Sequence, residues 1–169
     1  MKLRFVLVAM VGLLVTACSK NVYEVTISPC PALAIVGDVG TLTRFAGNGR
    51  DTQDVAFTAT ATNAEISCTA EGSVVSTVTF DLIAKAGPAL KSNNETISYF
   101  VAVMKDNHVI VTKKIYNVNL RFGGNNSRVE LRQSIQNVIP TLDQAQHYDY
   151  EILIGLQLTP DEAAYNIAR

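Results

Sequence analysis

Apolar and polar positions alternate with a period of two through most of the chain. No stretch before the C-terminus carries the stripe of a long amphipathic helix. Val55, Phe57, Ala59 and Ala61 share one face of a strand, and Ala64, Ile66, Cys68 and Ala70 continue with the opposite parity. A single inserted residue produces such a phase change, so a β-bulge or kink is expected at Thr62-Asn63. Val74, Val78, Phe80 and Leu82 then keep even parity. Pairing even with even across a hairpin needs an odd loop, and Glu71-Gly72-Ser73 fits a three-residue turn.

Both faces of "ISYFVAVM", residues 97–104, are apolar, which is the pattern of a central strand covered on both sides. Lys105-Asp106-Asn107-His108 joins it to a partner that starts as Val109-Val111 and resumes as Tyr116, Val118, Leu120 and Phe122, with shifted parity at Lys113-Lys114. After the turn Gly123-Gly124-Asn125-Asn126, Val129, Leu131 and Ile135 fit a strand, while Leu131, Ile135 and Val138 fit a helical stripe; strand is preferred over residues 127–139. Tyr150, Ile152, Ile154, Leu156 and Leu158 alternate without a break. Thr159-Pro160-Asp161-Glu162 is a helix start, with Thr at the N-cap, Pro at the first helical position and Glu three after the cap. About two turns of helix follow, expected as a lid at the end of the domain.

Some seven short antiparallel strands with a short C-terminal helix predict an all-β fold, an immunoglobulin or fibronectin type III-like β-sandwich. Tyr148, or Tyr150 if the register differs, is the candidate for a tyrosine corner, although a tyrosine packing at a strand end reads the same way. The chain has no tryptophan, and its cysteine spacing falls earlier than in antibody domains, so the expected likeness is one of architecture.

The N-terminus follows a different pattern. Lys2 and Arg4 precede an apolar run from Phe5 to Val15, and Thr16-Ala17 leads into Cys18, the layout of a secretory signal. The run is too short for a bilayer-spanning helix, which needs about 20 residues. Val15-Thr16-Ala17-Cys18 resembles a bacterial lipobox, whose cysteine thiol is acylated and becomes the first residue after cleavage; an ordinary signal peptide with an incidental cysteine is the alternative. The expected organisation is a lipoprotein signal peptide over 1–17, a lipidated tether over 18–28 and a β-sandwich domain over 29–169. By resemblance to lipoproteins of double-membraned bacteria, Ser19 after the cysteine implies a lipid-anchored place in the outer membrane, with the domain facing the periplasm and palmitate among the acyl groups. Cleavage removes Lys2 and Arg4 and moves the formal net charge from −1 to −3. That balance argues against nucleic acid, whose binding domains carry basic patches.

Spending Cys18 on lipid leaves Cys30 and Cys68, which in an oxidising compartment read as a disulfide. Two free thiols, or a metal site with His108 or His147, are the alternatives, but cysteines 38 apart lack the close spacing of zinc ligands. "GNGRDTQD" sets Asp51 and Asp54 in a glycine-bounded loop. Two carboxylates beside Arg50 are too few for calcium, and the expected reading is structural, with Arg50 pairing an aspartate and Asn48 left-handed. No serine-hydrolase motif occurs after residue 17, and His147 beside Asp149 sits in a polar loop. The chain is accordingly expected not to be an enzyme and to use no cofactor and no metal. Lys105, His108, Lys113 and Lys114 cluster on one hairpin, a candidate contact for anionic headgroups or peptidoglycan carboxylates, or else a solvated edge that discourages strand addition.

Taken together, "CPALAIVGDVGTLTRFAGNGRD" (30–51), "YFVAVM" (99–104) and "GLQLTPDEAAYN" (155–166) resemble a small family of uncharacterised alphaproteobacterial lipoproteins over most of the domain. The resemblance implies a lipoprotein and adds no site; "TRF" with "GNGRD" is where a family-specific surface would lie. The expected function is a non-catalytic binding or scaffold module for another envelope protein, held to the membrane by its lipid. A periplasmic module that binds a small molecule or glycan is the first alternative, and an enzyme is the disfavoured one.

Overall fold

The computed structural model describes residues 30–70, 74–124, 127–139 and 150–168. The expected signal, tether and Cys18, as well as His147, Tyr148 and Asp149, lie outside them. Among the described residues there are eight strands: β1 (Ala32–Ile35), β2 (Thr41–Phe45), β3 (Val55–Ala70), β4 (Val74–Ala86), β5 (Asn94–Lys105), β6 (Val109–Arg121), β7 (Arg128–Ile139) and β8 (Tyr150–Leu156). One helix, α1 (Pro160–Ile167), closes the order. Among the described residues no helix is long and apolar enough to cross a membrane.

The strands form two four-stranded sheets, ordered β1-β8-β5-β6 and β2-β3-β4-β7. The fold is therefore an all-β sandwich. The antiparallel pairings β3–β4, β4–β7, β5–β6 and β5–β8 match the A–B, B–E, C–C′ and C–F pairings of the immunoglobulin sandwich. The place beside the last strand, where the immunoglobulin sandwich has G, is filled by β1, which runs parallel to β8. Two expectations need correcting. One pairing is parallel rather than antiparallel, and the central strands are long, 16 residues in β3 and 13 in β4. Polar residues on their outward faces make such strands read as several short ones.

The core lies between the sheets. Phe57 and Phe80 are fully buried, as are Leu82, Leu120, Ile152, Ile154 and Leu156. Tyr99 of β5 meets Phe80 edge-on at 5.1 Å and stacks on Tyr116 at 5.2 Å, and its hydroxyl donates to Gln133 Oε1 at 3.1 Å. The buried ring thus keeps a hydrogen-bond partner on β7, as a buried tyrosine requires. Burial pushes the Tyr99 phenol up to about 12, with the neighbouring Tyr116 adding to the shift.

The expected bulge is present. Register slips by one residue between Thr62 and Glu65, and Asn63 is left-handed at φ 51°. Asn tolerates that conformation better than most residues. Its Nδ2 also donates to Asp81 Oδ2 on β4 at 2.9 Å, which locks the inserted residue to the neighbouring strand. The slip returns Ile66 and Cys68 to the inner face, opposite Val78 and Ser76. Ala70 pairs with Val74, leaving three residues between the strands, and those residues lie outside the described set.

Residues 127–139 contain strand β7, not a helix. Asn137, nine-tenths buried on it, has an Nδ2 without a hydrogen-bond partner. In β6 the expected parity break at Lys113-Lys114 falls earlier. The slip lies opposite Val103 and Met104, at Val111, and the strand is continuous through both lysines. Cys30 is disulfide-bonded to Cys68, with Cα atoms 5.4 Å apart. The bond ties the start of β1 to β3 in the opposite sheet. Closing that 38-residue separation contributes about 4 kcal/mol in the chain-entropy picture.

Candidate functional site

Helix α1 does not cap an end of the sandwich as a lid. It lies along β2, the edge strand of its sheet, and so covers an open flank. The helix begins as its sequence predicts: Thr159 Oγ1 accepts from the Glu162 N–H and Glu162 Oε2 accepts from the Thr159 N–H, a reciprocal capping box with Pro160 at the first position. Three side-chain contacts then dock it. Arg44 Nε donates to Glu162 Oε1 at 3.0 Å, Asn166 Nδ2 donates to the carbonyls of Asp38 and Thr41, and the Tyr165 ring meets Phe45 edge-on at 5.0 Å.

Between β2, the 46–50 loop and the start of α1 lies an open recess of about 170 Å³. Arg44, Phe45, Arg50, Asp161, Glu162 and Tyr165 form its walls. Arg44 is the strut beneath it: besides Glu162, it donates to the Thr96 carbonyl and stacks over the buried Phe57 ring at 5.1 Å. Arg50 is more exposed, lying over the Phe45 ring at 5.0 Å with Asp161 at 3.9 Å. Such an exposed pair contributes little to stability; Arg50 Nη1 also donates to the Gly47 and Gly49 carbonyls, which holds the guanidinium at the rim of the recess.

The loop that carries Arg50 is shaped by its own carboxylates. Asp51 and Asp54 form a reciprocal capping box around the 3-10 turn Thr52–Asp54. Gly49 is needed because a Cβ there would stand 2.0 Å from Asp54 Oδ2. Asp51 and Asp54 are thus engaged by backbone, and no cluster able to hold a metal is present among the described residues. Arg50 does pair an aspartate, but that aspartate is Asp161 of α1 and not a neighbour in the loop. Asn48 is not left-handed, correcting the expectation; the turn is built by the capping box instead.

Two of the motifs singled out in the sequence, "TRF" with "GNGRD" and "TPDEAAYN", therefore meet at one place. The sequence places "GNGRD" in a loop and "TPDE" at a helix start with nothing to relate them, and the Arg44–Glu162 contact between the motifs spans 118 residues of chain. A lone arginine inside a short apolar strand was the available signal.

The lysine-rich hairpin lies at the other end of the molecule. Asp106 and Asn107 both have positive φ, 53° and 59°, and the His108 N–H donates to the Lys105 carbonyl, the geometry of a tight two-residue turn. Consecutive positions on β6 put Lys113 and Lys114 on opposite faces of the sheet. Lys113 Nζ sits 4.4 Å from the Phe100 ring centroid on the outer face, and Lys114 is in register with Val101. Lys105 Nζ reaches the ring of Tyr150, which opens β8 packed against the core. The four residues ring the hairpin tip rather than converge on a point.

No family model, curated protein or solved structure matches the chain.

Proposed function

We propose that the protein is an outer-membrane lipoprotein whose periplasmic sandwich is a non-catalytic binding or scaffold module for another envelope protein. The observation that carries this reading is the polarity of the domain. Cys30, the described residue nearest to Cys18, is bonded near one end of β3, while the recess between β2 and α1 sits beside the other. Val55 and Cys68 stand thirteen positions apart on the strand, about 40 Å along the chain. The segment that leads to Cys18 therefore joins the domain at the end opposite Arg44, Arg50 and Glu162, which lie beside the start of β3 where a neighbouring envelope protein can reach them. The lipobox-like Val15-Thr16-Ala17-Cys18 and the Cys30–Cys68 disulfide both suit an exported protein.

The test is affinity capture from detergent-solubilised membranes with the chain as bait, paired with Arg50→Glu. The expected result is a stoichiometric protein partner held by the wild type and lost from the variant. Capture unaffected by Arg50→Glu moves the interface away from the recess, and repeated absence of a partner overturns the reading. Cys18→Ser should release the protein from the membrane fraction; retention contradicts the anchor.

A second reading has one observation in its favour. Phe45, Tyr165 and the Arg50 guanidinium together offer the aromatic and charged walls that suit a small glycan or other polar molecule. Thermal stabilisation of the purified domain by such a ligand, abolished by Phe45→Ala, would favour it.

A further inference from the structure

The described large apolar side chains most exposed on the strands are gathered on one element. Val109, Ile110, Val111 and Ile115 of β6 are 47, 60, 52 and 56% exposed. They lie on an edge strand whose outer hydrogen-bonding row is unpaired among the described residues, a surface that proteins normally shield with charge or cover with another element.

Their place in the sheet is informative. Ala32 pairs with Glu151, Glu151 with Met104, and Met104 with Ile110, so one row crosses all four strands. The hairpin tip, the start of β8 and the start of β1 therefore share one end of the sheet. Cys30 immediately precedes β1, and eleven residues separate it from Cys18. Extended, that tether spans at most about 40 Å. From β1 to β6 is three strand spacings, about 14 Å. The chain that leads to Cys18 thus leaves the domain at the same end of the sheet as the hairpin tip, and the recess lies at the other end.

We propose that the tip of the β5–β6 hairpin is a membrane-contacting element. It lies in the headgroup layer of an anionic lipid surface, with Val109, Ile110 and Val111 at the acyl boundary and Lys105, Lys113 and Lys114 on the phosphates. This inference rests on the acylated Cys18 proposed above. The three lysines outnumber the carboxylates of the tip and of the strand start beside it, Asp106 and Glu151. Lysine stems lie along apolar surface while their ammonium groups stay in the polar layer. The open edge of β6 limits the depth: its free N–H and C=O groups find water and phosphate among headgroups but no partners in hydrocarbon. Interfacial elements of this kind settle about 5–10 Å into the boundary.

The experiment uses the acylated protein reconstituted into vesicles of mixed zwitterionic and anionic phospholipid. An environment-sensitive fluorophore is placed on Ile110→Cys or, as a reference at the far end, on Gln53→Cys. Spin-labelled lipid should quench the Ile110→Cys probe several-fold more than the reference, with a blue-shifted emission. The combined variant Lys105→Gln, Lys113→Gln, Lys114→Gln should lose most of that quenching. Equal quenching at the two positions overturns the proposal, and so does cross-linking of the Ile110→Cys probe to a second chain without lipid quenching. Mass analysis of the N-terminal peptide separates the two readings: an acylated peptide with an unquenched tip sinks the membrane contact alone, and a peptide without lipid sinks the anchor and the contact with it.

Discussion

Glu162 uses one carboxylate oxygen to cap its own helix and the other to hold Arg44 on β2, 3.0 Å from the guanidinium Nε. Forming the helix and docking it are therefore one event. Glu162→Ala should lower stability by about 1–2 kcal/mol through loss of the cap and its charged partner. Denaturant unfolding measures the loss, and hydrogen exchange should show the Ala163 and Ala168 amides opening well below the global transition. Arg44→Ala added to Glu162→Ala should cost less than the sum of the single changes, as for any pair in direct contact.

Asp81 sits between two donors on the outer face of its sheet. Asn63 Nδ2 donates to one oxygen and Arg132 Nη1 to the other, at 3.0 Å; Arg132 Nη2 also donates to Glu65 at 2.9 Å. The Asn63 amide first, and then the Arg132 guanidinium, hold the Asp81 carboxyl below its ordinary value of 3.8. A carboxylate with a depressed folded pKa gives stability that is present above the unfolded pKa and lost as pH falls through the folded one. The melting temperature of the wild type should therefore drop on acidification below pH 4, and Asp81→Asn should flatten that part of the profile while lowering stability at neutral pH.

Tyr99 makes the opposite prediction at the alkaline end. With the phenol at about 12 when folded and 10.0 when unfolded, its contribution is intact below pH 10 and declines as pH rises towards 12. Near-ultraviolet absorbance should show one late-titrating tyrosine, absent from Tyr99→Phe. That variant should also lose about 1 kcal/mol at neutral pH with the hydrogen bond to Gln133.

Gly155 on β8 faces Phe100 on β5 across the outer surface of their sheet. A Cβ there would stand 2.6 Å from Phe100 Cζ and 2.6 Å from Val39 Cγ2. Gly155→Ala should destabilise by about 1–3 kcal/mol, as overpacking does. Val39→Ala in the same chain should recover part of the loss, read from paired denaturation curves.

Sequence pattern reached the all-β class, the bulge at Thr62-Asn63, the capping box at Thr159 and the cysteine pair, because each is written in neighbouring residues or in simple parity. A left-handed Asn between two oppositely phased apolar runs is a local signature. The parallel β1–β8 pairing was not legible, since four residues of "ALAI" carry no mark of the partner they will find near the other end of the chain. The recess escaped for the same reason: Glu162 has a complete local explanation as a capping residue, and only the fold brings Arg44 to it. The exposed apolar run of β6 was hidden differently, because Val109, Ile110 and Val111 look like core, yet they stand beside the tip of an edge strand where neither face of the sheet is covered.

The parallel pairing of β1 also orders events in time. Its sheet partner β8 is made last, while its disulfide partner Cys68 lies on β3, much nearer along the chain. The chain separation from Ala32 to Glu151 is about three times that between the cysteines, which adds about 1 kcal/mol to the entropy of closing it. Oxidation of Cys30 can then come before β8 exists, and it leaves β1 waiting as one rail of a slot whose other rail is β5. In the finished sheet β8 fills that slot between β1 and β5, and α1, next along the chain, closes the flank.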